Sequence, residues 1–130
     1  RHTIPTRDPA STLTKAAEWF AAQGGIAALG IGSFGPVELD RASEQWGFIT
    51  NTPKPGWAYC DVAGFFAARL GVPVGFDTDV NAAALAEYAA SRAIGGGLAY
   101  LTIGTGIGGG LVLDGRPVHG VAHPEMGHVY

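Results

Sequence analysis

Residues Leu101–Gly120 read LTIGTGIGGGLVLDGRPVHG, and the residues after the glycines decide how that stretch folds. Gly104, Gly106 and Gly109 fall in the order of a dinucleotide fingerprint, with Gly108 and Gly110 beside them. Such a fingerprint works because its glycines open a helix whose N-terminus receives a pyrophosphate. Here they lead instead into Leu111, Val112 and Leu113 and then Asp114–Gly115, a pair that signals a tight hairpin. The context predicts strand, glycine loop, strand, which argues against a nicotinamide site. No Lys-Ser or Lys-Thr comes after the glycines, which argues against a Walker loop. Two uses remain open. Successive backbone N–H groups can form an anion-binding nest, with the Thr105 hydroxyl as a further donor. Alternatively, the glycines serve only a bulge that curves the sheet.

Upstream, the pattern alternates helices and buried strands. Asp8 and Pro9 suit the cap and first position of a helix from Ala10 to about Gln23, with Leu13, Ala16, Ala17, Phe20 and Ala21 on one face and Gly24–Gly25 at its end. IAALGIGS (26–33) reads as a buried strand of the parallel kind. Residues 40–58 form a long irregular excursion, with Phe48 and Ile49 in a short strand. Asp61 caps a second helix running to Leu70 before Gly71. VPVGF (72–76) is another buried strand, and an Ala-rich helix from about Val80 to Arg92 comes next, with Asp79 at its cap position. This order predicts an α/β architecture.

The stretch GFDTDVNAAALAE, Gly75–Glu87, places carboxylates between the end of a buried strand and the start of a helix. Open α/β sheets bind ligands there, so Asp79 could accept a hydroxyl proton. Equally, Asp79 could only cap the helix; Asp77 is its rival for either role, and Asn81 could bond the loop backbone. Near the end, HGVAHPEMGH carries His119, His123, Glu125 and His128, three of the four histidines of the chain. That cluster suits a metal or a hydroxyl-rich ligand. Its spacing does not put two histidines on one helical face, and four tetrahedral zinc ligands cannot be assembled from it alone.

Composition bounds the remaining partners. The 130 residues, 47% hydrophobic, suffice for one compact domain. A net charge of −3 without a basic cluster argues against nucleic acid or an anionic membrane surface. No apolar run reaches the roughly 18 residues of a spanning helix, and no leader is visible. The lone Cys60 has no internal disulfide partner, which favours a reducing compartment and a place in the core. The start at Arg1 and the stop after HPEMGHVY suggest a fragment.

Taken together and in order, five motifs resemble the ROK family of sugar kinases: GIGSFGPVELD, NTPKPGW, DTDVNAAALAE, LTIGTGIGGGLVLDG and HPEMGH. The resemblance implies an actin- and hexokinase-like fold, two ribonuclease-H-like lobes closing on a cleft. Residues 1–92 would complete the small lobe, with the sugar-side loops and the catalytic Asp. Residues 93–130 would begin the large lobe, with the phosphate loop and the sugar and zinc motif. It further implies Asp79 as general base; Gly35, Thr78, Asp79, Glu125 and His128 at the sugar; Gly104, Thr105 and Gly106 at the ATP phosphates; magnesium bridging those phosphates; and His128 as one ligand of a structural zinc completed by cysteines beyond Tyr130.

Thr78 stands where most members have Asn, and the motifs look most like the bacterial fructokinase branch. The resemblance therefore implies phosphorylation of D-fructose at its 6-hydroxyl by a cytoplasmic enzyme, with hexose and ATP as partners and a homodimer as a common assembly. The family's first phosphate motif is absent from these residues, so the chain reads as an internal piece of a kinase about twice as long, inactive by itself. A glucokinase or mannokinase is the alternative within the family. A sugar-sensing transcriptional repressor is the alternative from another class, and the intact Asp79 and GTGIGGG argue against it.

Overall fold

A computed structural model describes residues 1–91, 95–104 and 106–120. The chain divides into two compact units, the first Arg1–Phe76 and the second from Asp77 onward.

The first unit is built on helix α1 (Pro9–Gln23) packed against α2 (Val62–Leu70). Both begin where side-chain chemistry allows. Asp8 accepts the Ser11 N–H at 2.9 Å, and Asp61 accepts the Gly64 N–H at 2.7 Å, each satisfying an amide that the helix cannot. Gly71 closes α2 in the left-handed region, as the sequence predicts. Gly24 ends α1 with ψ 147°, outside that region.

Leu13 and Ala17 of α1 and Val62, Ala63 and Phe66 of α2 enter one core with Leu29, Val37, Ile49, Trp57 and Phe76. Burying a side chain the size of Ile49 or Phe66 contributes about 1.5–3 kcal/mol, which is why this cluster holds the unit together. Strand β1 (Leu29–Ser33) pairs with β4 (Val74–Thr78), and the short β2 (Phe48–Ile49) pairs antiparallel with β3 (Cys60–Asp61). Strand β1 starts at Leu29 rather than at Ile26, because Leu29 is where an amide finds a partner, the Pro73 carbonyl at 2.9 Å. Gly47 has φ +89° and lies against Ala63, where a Cβ would overlap the Ala63 methyl; its carbonyl accepts the Val62 and Ala63 N–H groups at the start of α2.

In the second unit, α3 (Asp79–Ser91) lies on the hairpin of β5 (Gly97–Ile103) and β6 (Ile107–Leu113), to which β7 (Arg116–Pro117) adds a third strand. The register pairs Leu101 with Gly109 and Ile103 with Ile107. Asp114 (φ 48°) and Gly115 (φ 76°) make the tight turn that their sequence predicts. Ala84 of α3 and Val112 of β6 are fully buried, while Leu101, Ile103, Ile107 and Leu113 are exposed. Among the described residues, no helix is long and apolar enough to cross a membrane.

Candidate functional site

The β4–α3 turn carries the carboxylates. Strand β4 runs on through Asp77 and Thr78, past the end expected at Phe76, and α3 begins at Asp79 itself. The cap is Thr78, whose buried hydroxyl oxygen accepts the Asn81 N–H at 3.1 Å, three residues on. This corrects the expectation that Asp79 occupies the cap position. Two adjacent polar residues can each cap, and the strand geometry turns Thr78 inward. Asp79 is left exposed in the first helical turn, its Oδ1 accepting only the neighbouring Val80 N–H, at 2.9 Å, among the described contacts. A carboxylate there also faces the positive end of the helix dipole.

Asp77 occupies a different setting. Its Oδ1 accepts the Thr78 N–H at 2.7 Å and the Asn81 Nδ2–H at 2.8 Å, and its Oδ2 lies 2.7 Å from Nε2 of His119. The side chain is 16% exposed. Asn81, expected to bond loop backbone, is instead fully buried and donates to this carboxylate; its Oδ1 is buried without a partner among the described residues. Thus Asp77 neither caps α3 nor faces open solvent.

The glycines divide into two groups. Gly108, Gly109 and Gly110 belong to strand β6, not to a loop. A Cβ on Gly110 would sit 2.5 Å from the Val80 carbonyl oxygen and 3.0 Å from the Asn81 nitrogen; one on Gly108 would sit 3.0 Å from Val80 Cγ1. These two positions admit the first turn of α3 against the strand, a use that neither the nest nor the bulge reading anticipated. Gly104 and Gly106 lie in the β5–β6 connection, where an added Cβ would meet nothing within 4 Å. The Gly104 N–H donates to the Gly106 carbonyl at 2.9 Å, which folds the connection tightly and turns that amide inward.

In the first unit, two of the quoted motifs meet. The Thr50 N–H donates to the Pro36 carbonyl at 2.8 Å, and Val37 bridges Ile49. Phe34 packs edge-on to Trp57, ring centroids 5.4 Å apart, and Lys54 Nζ lies 3.5 Å from the Phe34 ring centroid. Half-buried Gly35, joined to Pro36 by a cis peptide, is held in this junction. Thr105, Glu125 and His128 lie outside the described residues. Among the described residues, no three His, Cys, Asp or Glu side chains gather as a metal site.

Burial pushes the Cys60 thiol above its ordinary pKa, with the Asp61 charge adding to the shift. The Asp8 carboxyl is held below its ordinary pKa, chiefly by the Ser11 side-chain hydrogen bond.

The profile of the ROK family matches residues 1–130. The chain belongs to the ROK family. A fructokinase of Zymomonas mobilis is 51% identical over 132 residues, covering 96% of this chain and 44% of that protein. A fructokinase of Streptococcus mutans is 42% identical, covering 98% of the chain and 43% of the relative. The ROK hexokinase of Thermus thermophilus superposes with TM-score 0.73 at 31% identity, over 94% of this chain and 41% of that one. A ROK family glucokinase from Streptomyces griseus, solved with glucose and AMPPNP, gives TM-score 0.72 at 25% identity, over 88% and 36%. The fold is therefore that of the ROK sugar kinases, actin-like and partly covered. This ROK chain spans less than half the length of each of these four relatives.

Proposed function

We propose that the protein carrying this chain is an ATP-dependent hexose kinase that converts D-fructose to fructose 6-phosphate. The carrying observation is the state of Asp79: an exposed carboxylate at the end of a strand, freed from capping by Thr78. The fructokinase relatives at 51% and 42% identity support the sugar and the reaction class.

In this reading the fructose 6-hydroxyl oxygen attacks the γ-phosphorus of ATP in line, the bond to the β–γ bridging oxygen breaks, and ADP leaves. Asp79 takes the hydroxyl proton as the new P–O bond forms. The transition state is loose, so placement and charge stabilisation carry most of the rate. The Gly104–Gly106 connection receives the ATP phosphates, with donors from Thr105 and Gly106, since the Gly104 amide already serves the loop. Magnesium, held by those phosphates, would supply positive charge against the negative charge on them. Gly35, Thr78, Glu125 and His128 line the sugar, Thr78 chiefly by shaping the turn under Asp79.

His128 would also supply one ligand to a structural zinc. The described residues hold no donor set for it, and no step of the transfer depends on it. Residues 1–92 fall to the small lobe of the whole kinase and 93–130 to its large lobe, and the enzyme works in the cytoplasm.

The test is ADP release by the full-length protein with ATP and, in parallel, fructose, glucose or mannose. Turnover with the highest kcat/KM for fructose is expected. Preference for glucose or mannose would reassign the substrate, and sugar binding without turnover on any of the three would replace the kinase by a sugar sensor.

A further inference from the structure

Asp77 and His119 are 42 positions apart in sequence and meet at 2.7 Å. A carboxylate only accepts hydrogen bonds, so the imidazole Nε2 carries the hydrogen. The same carboxylate holds the Thr78 N–H and the Asn81 side chain on its other oxygen. Three tethers thus converge on one largely buried group: the end of β4, the first turn of α3, and the segment after β7. The backbone between Thr78 and Asn81 is what Asp79 rides on. A solvated aspartate would need none of these contacts, and a capping aspartate would use a helix amide instead.

We propose that Asp77 and His119 form a positioning pair that sets Asp79 against the attacking hydroxyl. The inference rests on the kinase reading. Asp77 fixes the β4–α3 turn, and His119 fixes Asp77 from the segment that leads toward Glu125. Neither side chain exchanges a proton with the substrate. Their effect reaches the reaction through Asp79 and falls on kcat, because misplacing a reacting group by about 1 Å costs on the order of 100-fold in rate while substrate affinity changes little.

The experiment measures kcat and KM for fructose on the full-length protein, per folded enzyme as counted by fructose-binding sites in calorimetry, for Asp77→Ala, Asp77→Asn, His119→Ala, His119→Gln and the Asp77→Ala/His119→Ala double variant. Expected for Asp77→Ala is a kcat loss of about 10- to 100-fold with KM within about threefold. Asp77→Asn keeps an acceptor toward Thr78 and Asn81, and His119→Gln keeps an amide donor toward Asp77. Each should regain most of the loss of its alanine counterpart. The double variant should be no slower than Asp77→Ala alone, as for two residues acting through one contact.

A kcat per site within about threefold of the parent in both alanine variants would overturn the proposal, as would fully additive losses in the double variant. Should Asp77→Ala fail to fold, the His119 pair of variants carries the same test. An Asp79→Asn variant in the series separates the two failures: if it is inactive while the alanine variants at 77 and 119 are not, only the positioning pair is lost. If Asp79→Asn retains activity, the kinase base itself is misassigned.

Discussion

Gly110→Ala places one methyl group where β6 meets the first turn of α3. The new Cβ would lie 2.5 Å from the Val80 carbonyl oxygen and 2.8 Å from its carbon. Ordinary contact begins at about 3.4 Å, so the helix start would have to retreat by roughly 0.9 Å. Both neighbours are backbone atoms, and no side chain can rotate away. Overpacking of this kind costs about 1–3 kcal/mol. The displaced atoms adjoin Asp79, so the same retreat moves the proposed base by a distance that costs on the order of 100-fold in rate. Urea unfolding of the full-length variant should show a lower midpoint at an unchanged slope. The ADP-release assay should show kcat falling well beyond any loss of folded protein. Parent stability together with parent kcat would refute the claim that Gly110 is there to admit α3.

The Gly104→Ala and Gly106→Ala variants meet open space, so each should leave the unfolding free energy within about 0.5 kcal/mol of the parent. A severalfold rise in the KM for ATP would then report the phosphates themselves, and an unchanged KM would remove the phosphates from this connection. Asp61→Ala removes the α2 cap and should cost about 1 kcal/mol in denaturant unfolding; a neutral result would mean that the Gly47 carbonyl and water suffice. The Cys60 thiol, raised by burial and then by Asp61, should alkylate far more slowly with iodoacetamide at pH 8 than the same thiol in urea. A raised folded value favours the neutral form, so its contribution to stability is present below the unfolded pKa and is lost as pH rises through the folded one. Equal alkylation rates would show that the thiol is not shielded.

The elements governed by neighbouring residues are legible in the sequence. Asp61, Gly71 and the apolar spacing between them bound α2 at both ends, and Asp114–Gly115 announces its turn because few residue pairs accept positive φ twice. Asp79 stands out by its place between strand and helix. Its freedom from capping does not, since Asp is on paper the better cap of the two and only the inward turn of Thr78 gives the role to Thr78. Gly108 and Gly110 look like parts of a loop because what they pack against in the first turn of α3, the Val80 side chain for Gly108 and the Val80–Asn81 backbone for Gly110, lies about 30 positions earlier. The Asp77–His119 contact is longer still in sequence. His119 is conspicuous as one of three clustered histidines, and nothing in that cluster points back to Asp77. The roles proposed for Gly104, Thr105, Glu125 and His128 rest on the family resemblance, since spacing alone leaves them open.

Whether Asp79 is the base is decided by the turnover of the full-length Asp79→Asn variant with fructose and ATP, beside calorimetric fructose binding by the same protein. Asn keeps the size of the side chain and cannot take the hydroxyl proton. Fructose affinity should stay within a few-fold of the parent while kcat falls by about 100- to 10,000-fold. A variant that binds fructose and turns over within tenfold of the parent would contradict the assignment, and the proton acceptor would have to be sought elsewhere in the protein.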